Sequence, residues 1–183
     1  MTCMANSSLL SSFFLVFLLF ISPSSSKQID KKPTNGINIR EICSETTNPP
    51  FCSTVLNSRI TKRTDIRSLA NITIRLAYSS AKENYAIIGG LLKQTKSPVL
   101  KQRYASCSNK YNLAIRGLGQ ATQSLNSGNY KGVYDGATSA FDAGEDCKDE
   151  FEVPPPEDKK LKRKTTKFVD LSSIVLAVFD HLY

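Results

Sequence analysis

The chain has one histidine, His181, close to its C-terminal end. That scarcity removes most hydrolytic chemistry, because a Ser-His-Asp site would have to form around a single imidazole on a last helical turn. A lone His there reads as a solvated side chain or one favoured by the helix dipole. Metal chemistry is equally poorly supplied. Cys43, Cys52, Cys107 and Cys147 follow one another at spacings of nine, 55 and 40, which match no zinc pattern. No Gly-rich phosphate loop occurs, and Gly89-Gly90 lies inside a helical pattern as a weak point or a close-packing site. The carboxylate pairs Glu145/Asp146 and Asp149/Glu150 read as a solvated acidic face beside Cys147. The chain is therefore expected not to be an enzyme and to need no cofactor.

Charge is missing from the first 26 residues, which contain no Lys, Arg, Asp or Glu. The apolar core Phe13 to Ile21 is too short to span a bilayer, which takes about 20 apolar residues. It fits a secretory signal peptide cleaved near Ser26, with residues 27–36 as a flexible N-terminus. No later stretch is long and apolar enough to span, so no membrane contact is expected after cleavage. The remaining chain, residues 27–183, suits one domain with one core and keeps the full net charge of +8. Such a basic protein would be held weakly and salt-dependently by polyanions around it. Secretion argues against nucleic acid as partner, and it makes the Asn71-Ile72-Thr73 sequon usable for glycosylation. Cys3 leaves with the leader, and the even count that remains implies two disulfides in an oxidising compartment.

What is present reads as helix throughout. A short helix over Ile37–Thr46 stops before Asn48-Pro49-Pro50, where a second begins with Pro in its first turn, the two making an α-hairpin over 37–62. Thr64-Asp65 caps a long helix ending near Gln94, with Ile66, Leu69, Thr73, Leu76, Ser80, Ile87 and Leu91 along one side. Ser97-Pro98 opens the next, whose seam runs through Leu100, Tyr104, Cys107, Tyr111, Ala114, Leu118, Ala121 and Leu125. After the Ser127-Gly128-Asn129 stop, Tyr130, Val133, Ala137, Ala140, Gly144, Cys147 and Phe151 continue the pattern. Pro154-Pro155-Pro156 ends that helix, and a basic linker over 154–165 leads to a last helix from about Thr166 to Leu182. Six basic residues between Lys159 and Lys167 read as a solvated loop, or as a docking patch for pectin or membrane. The architecture expected is all-α: an up-down-up-down four-helix bundle over 64–183 behind an N-terminal α-hairpin.

Turn positions then select the crosslinks. Facing residues of an antiparallel hairpin lie equally far from its turn. The midpoint of Cys107 and Cys147 is 127, inside the predicted turn, and that of Cys43 and Cys52 is 47.5, at the Thr47-Asn48 break. This favours 43–52 and 107–147 over the two other connectivities.

Several segments also resemble the plant invertase and pectin methylesterase inhibitor family. They are Ile42-Cys43 with Asn48-Pro49 and Cys52, Leu100 through Ser108, Leu118-Gly119-Gln120-Ala121, Ser127-Gly128-Asn129-Tyr130, and Ala140-Phe141 through Phe151. The resemblance implies a one-to-one complex in which bundle helices cover an enzyme's active-site cleft. Invertase inhibitors of that family carry a Pro-Lys-Asn-Phe-like segment, which falls here at Tyr130-Lys131-Gly132 and lacks the aromatic residue. The Ala-Phe-Asp and Leu-Gly-Gln-Ala blocks look closest to pectin methylesterase inhibitors, although Asn109, Leu113, Arg116 and Asn129 replace acidic residues expected there. The expected target is pectin methylesterase, with acid invertase as alternative and a pectin-binding structural or signalling role as the rival from another class. The contacts the resemblance implies are Asn109, Tyr111, Arg116, Tyr130, Lys131, Asp146 and Asp149.

Overall fold

The computed structural model describes residues 36–183, so the leader and the segment after it lie outside the described residues. Six helices follow: α1 Ile39–Ser44, α2 Pro49–Asn57, α3 Ile66–Gln94, α4 Pro98–Ser127, α5 Tyr130–Asp149 and α6 Lys159–Phe179. Each begins at an Asn, Asp or Ser whose side-chain oxygen accepts from a first-turn amide: Asn38, Asn48, Asp65, Ser97, Asn129 and Asp158. These caps satisfy amides that a helix start otherwise leaves without partners. Gly128, at φ +74, closes α4 in the left-handed conformation that residues with a Cβ resist. The guanidinium of Arg67 on α3 covers the same end, donating to the Leu125 and Asn126 carbonyls at 2.6 and 3.0 Å.

In the bundle α3 packs on α4, α4 on α5, α5 on α6, and α6 closes the ring on α3. The hairpin α1–α2 rides on α6. There the Thr47 amide donates to Ser173 Oγ at 2.9 Å, and Asn48 Nδ2 donates to Asp170 Oδ2 at 3.0 Å. Disulfides join Cys43 to Cys52 and Cys107 to Cys147. His181 lies beside the hairpin, 3.6 Å from Glu45.

Two sequence expectations are corrected here. The basic stretch is not a linker: α6 starts at Lys159, and Asp158 caps it by accepting from the Lys160 and Leu161 amides. Leu161 and Thr165 are fully buried in line with Phe168, so the charged run has a core side of its own and propagates as helix. On α3 the buried stripe is shifted from the expected one. Leu69, Thr73 and Ser80 are buried as expected, but Ala70, Ile74, Ala77, Ala81, Asn84 and Ile88 also face inward, while Ile66, Leu76, Ile87 and Leu91 are half-buried. Small side chains suffice on α3 because Tyr111 of α4 and Phe168 of α6 fill the centre, their rings 5.1 Å apart.

Burial around that pair is polar at one end. Asn84 Nδ2 donates to the Tyr111 hydroxyl at 2.8 Å, which donates to Thr165 Oγ1 at 3.3 Å. Thr165 in turn donates to Glu157 Oε1 at 3.4 Å. Burial pushes the Tyr111 hydroxyl up to about 12 and the Glu157 carboxyl from 4.5 up to about 7. Lys162 and Lys148 oppose the rise in Glu157, while Asp158 adds to it. Between these limits the folded chain holds a proton that the unfolded chain has released. Its stabilising contribution is full below pH 4.5 and is lost as pH climbs through about 7. Denaturant midpoints measured across that window should fall with rising pH, and Glu157→Gln should flatten the profile.

Candidate functional site: the outer face of α4 and α5

The face between α4 and α5 is set by two glycines. Gly117 and Gly136 lie against each other so closely that a Cβ at 136 would overlap the Gly117 carbonyl oxygen. The helices therefore meet backbone to backbone, and the side chains flanking the contact stand proud of it. Two adjoining grooves of about 390 and 410 Å³ result, sharing Leu113, Asp135 and Ser139. Arg116, Gln120 and Ser124 line the first, and Lys110, Tyr134, Asp142 and Asp146 the second. Leu113 and Tyr134 are 50% and 46% exposed, large apolar surfaces presented to solvent beside polar groups. Thr138 Oγ1, buried in the second groove, has no hydrogen-bond partner. At one end Lys110 Nζ meets Asp146 Oδ2 across the helices at 2.9 Å, and at the other Lys131 Nζ meets Asp135 Oδ2 at 2.6 Å. Beyond the Lys110 bridge, the Cys107–Cys147 crosslink fixes the register of the two helices.

The implied contact residues divide on this face. Asn109 and Arg116 are exposed on α4, and Asp146, Asp149 and Lys131 are exposed on α5. Tyr130 is half-buried, its ring 6.3 Å from that of Tyr183. Tyr111 is corrected outright: it is fully buried with both hydroxyl bonds directed inward, so it supports the core and touches no partner. The others do not form one patch. Lys131 and Asp149 are 18 helical residues apart, about 27 Å along the axis. Leu113 and Tyr134 bridge that span. Tyr134 sits next to the seam residue Val133 rather than on the seam, and an aromatic residue off the seam is the signal that sequence reading passes over. The sequon residue Asn71 lies half-buried on α3, away from this face.

The titratable residues of the grooves are Lys110, Arg116, Tyr134, Asp135, Asp142 and Asp146, with no His, Cys or Glu among them. Among the described residues no group of three His, Cys, Asp or Glu side chains could hold a metal ion. What the face offers is a rigid, crosslinked surface with exposed apolar side chains set among charges, which is the make-up of a protein-binding surface.

A family model described as plant invertase/pectin methylesterase inhibitor matches residues 38–178. The chain belongs to that family. A pectinesterase inhibitor of Actinidia deliciosa is 40% identical over 178 residues, covering 97% of this chain and 95% of the relative. A cell wall/vacuolar inhibitor of fructosidase from Arabidopsis thaliana is 28% identical over 177 residues, covering 92% of this chain and 97% of its own length. Among solved structures, a mutant form of an Arabidopsis pectin methylesterase inhibitor superposes with a TM-score of 0.72 at 25% identity, covering 78% of this chain and 95% of that one. This chain's α4/α5 face sets exposed Leu113 and Tyr134 beside the close Gly117–Gly136 contact.

Proposed function

We propose that the protein is a secreted inhibitor of plant pectin methylesterase, which it engages in a one-to-one non-covalent complex through the α4/α5 face, and that it is not itself an enzyme. Identity with the Actinidia pectinesterase inhibitor over nearly the whole chain carries this reading. Cleavage of the leader over residues 1–26 would deliver it to the cell wall, where its target modifies pectin. Occlusion of the cleft by a preformed helical surface needs little ordering on binding. Asn109, Arg116, Asp146 and Asp149 serve as rim contacts in this complex, and Leu113 and Tyr134 as its apolar anchors.

The first turn of α5 argues against the fructosidase target. A Cβ at Gly132 would lie 2.9 Å from both Ser124 Cβ and Asn129 Nδ2, so this turn is packed against α4 with no room for an aromatic side chain pointing that way. Lys131 remains, paired with Asp135.

Titration of the oxidised mature protein against a pectin methylesterase, with an acid invertase in parallel, tests the target. Stoichiometric loss of esterase activity alone is expected; loss of invertase activity alone, or of neither, refutes the proposal. Leu113→Asp places a charge on a side chain exposed in the free protein, so stability should hold while inhibition weakens. A central apolar anchor is worth about 2 kcal/mol, or roughly 30-fold in the inhibition constant.

A further inference from the structure

Because the bundle ring runs α3, α4, α5, α6, the α3/α6 side lies opposite the α4/α5 face. There the first turns of α6 carry Lys159, Lys160, Lys162, Arg163, Lys164 and Lys167. At 1.5 Å per residue these six cations occupy only about 12 Å of helix. Five are exposed; Lys164 is half-buried and is the one that forms an ion pair, with Glu83 of α3 at 2.6 Å. Lys160 and Lys167 also face Glu83, and together with Lys164 they hold its carboxyl below the usual range. Just before α6, Asp158 commits its carboxylate to the helix cap and Glu157 turns toward Thr165, while Glu150 after α5 accepts from Ser106. Positive charge is thus in local excess along the first turns of α6.

Folding does not account for this placement. A helix start carries the positive end of the dipole, so cations there are unfavourable, and α6 has no acidic residue in its first turn to offset them. The mutual repulsion of six cations adds to that cost. A ligand bearing closely spaced negative charges relieves both terms at once. Lys167 borders a groove lined by Phe51, Val55, Leu76 and Leu171, and the exposed row of cations beside it suits a linear polyanion held by many weak, salt-screened contacts.

We infer that the N-terminal half of α6 is a docking surface for de-esterified polyuronate, occupied at the same time as the α4/α5 face holds the enzyme. Selection of polyuronate among polyanions rests on the pectin-directed function proposed above. The inhibitor would then be retained on the polymer region that its target produces. Demethylation exposes carboxylates, and the opposite face of the bundle remains open to the enzyme.

The test uses the mature protein and polygalacturonate, with no enzyme present, at acidic pH and low salt. Lys160→Gln, Lys162→Gln, Arg163→Gln and Lys167→Gln are combined, leaving Lys164 to its partner Glu83. Binding should weaken by at least about tenfold and lose most of its salt dependence. Thermal stability should stay level or rise, and the esterase inhibition titre should not change. A charge-matched control replaces Arg63, Arg75, Lys93 and Lys101, all outside α6, by Gln and should retain most of the binding. An equal loss in that control overturns the inference, as does equal binding to fully methyl-esterified pectin. Capture by anionic phospholipid vesicles but not by polygalacturonate also overturns it. Because the binding assay contains no esterase, its failure is distinct from failure of the inhibition titration.

Discussion

Replacing Cys107 and Cys147 together by Ser is expected to cost about 4 kcal/mol of stability in the loop-entropy model, for a crosslink closing 40 residues. For a chain of this size that corresponds to a fall of roughly 8–16 °C in Tm, at about 2–4 °C per kcal/mol. The effect exceeds that of losing Cys43–Cys52, which closes nine residues and is worth about 2.6 kcal/mol on the same basis. Position matters as well as loop length. Cys107 and Cys147 lie 20 residues either side of the α4–α5 turn, about 30 Å from it, where the hairpin has no other covalent restraint. Without the bridge the helices can slide relative to each other, and the Lys110–Asp146 contact loses its fixed register. Inhibition should therefore decline together with stability. Urea unfolding of the double variant beside inhibition assays checks both. A midpoint equal to that of the parent would show that packing alone sets the register.

Gly136→Val should cost about 3 kcal/mol, the upper part of the range for overpacking a tight contact. Any Cβ at 136 meets the carbonyl oxygen of Gly117 and lies 3.0 Å from Ala121 Cβ. A flexible side chain could move aside, but the obstacle here is the backbone of α4, held to α5 by the disulfide at one end and the short turn at the other. The helices would have to separate and the groove floor between Leu113 and Asp135 would widen. Gly119→Ala provides the contrast. Nothing lies within 4 Å of a Cβ built there, so the better helix former should leave the protein as stable or up to about 1 kcal/mol more so. Paired denaturation curves of the two variants separate a true steric contact from a general intolerance of substitution. If both behave alike, the Gly117–Gly136 contact is not what sets the spacing of the face.

Most of the frame is legible in the residues because it is written locally. Asn48-Pro49, Ser97-Pro98 and Ser127-Gly128-Asn129 mark helix ends through capping and a left-handed turn, features that need only a few neighbouring residues. The seams of α4 and α5 are regular enough to fix a buried side, and the two turns then make the cysteine pairings a matter of counting. The α3 stripe was harder to read. Its inward residues include three alanines, Thr73, Ser80 and Asn84, so hydropathy alone shifts the stripe. The reason lies elsewhere in the chain, in two aromatic rings that supply the missing volume. Likewise, the Lys and Arg of α6 outweigh Leu161 and Thr165 in any reading of composition, although those two are what bury that turn.

The sequence by itself therefore determined the all-helical bundle, its turns and its crosslinks, because periodicity, caps and turn midpoints depend on nearest neighbours along the chain. Tertiary structure alone decided that the Tyr111 hydroxyl is tied inward by Asn84 and Thr165, that the cations of residues 159–167 belong to α6 rather than to a linker, and that Leu113 and Tyr134 line a common groove. Each of these depends on which residues from distant segments fill the space beside a side chain. Periodicity gives a helix its inner side, but the volume and hydrogen-bonding groups of its neighbours decide what that side can bury.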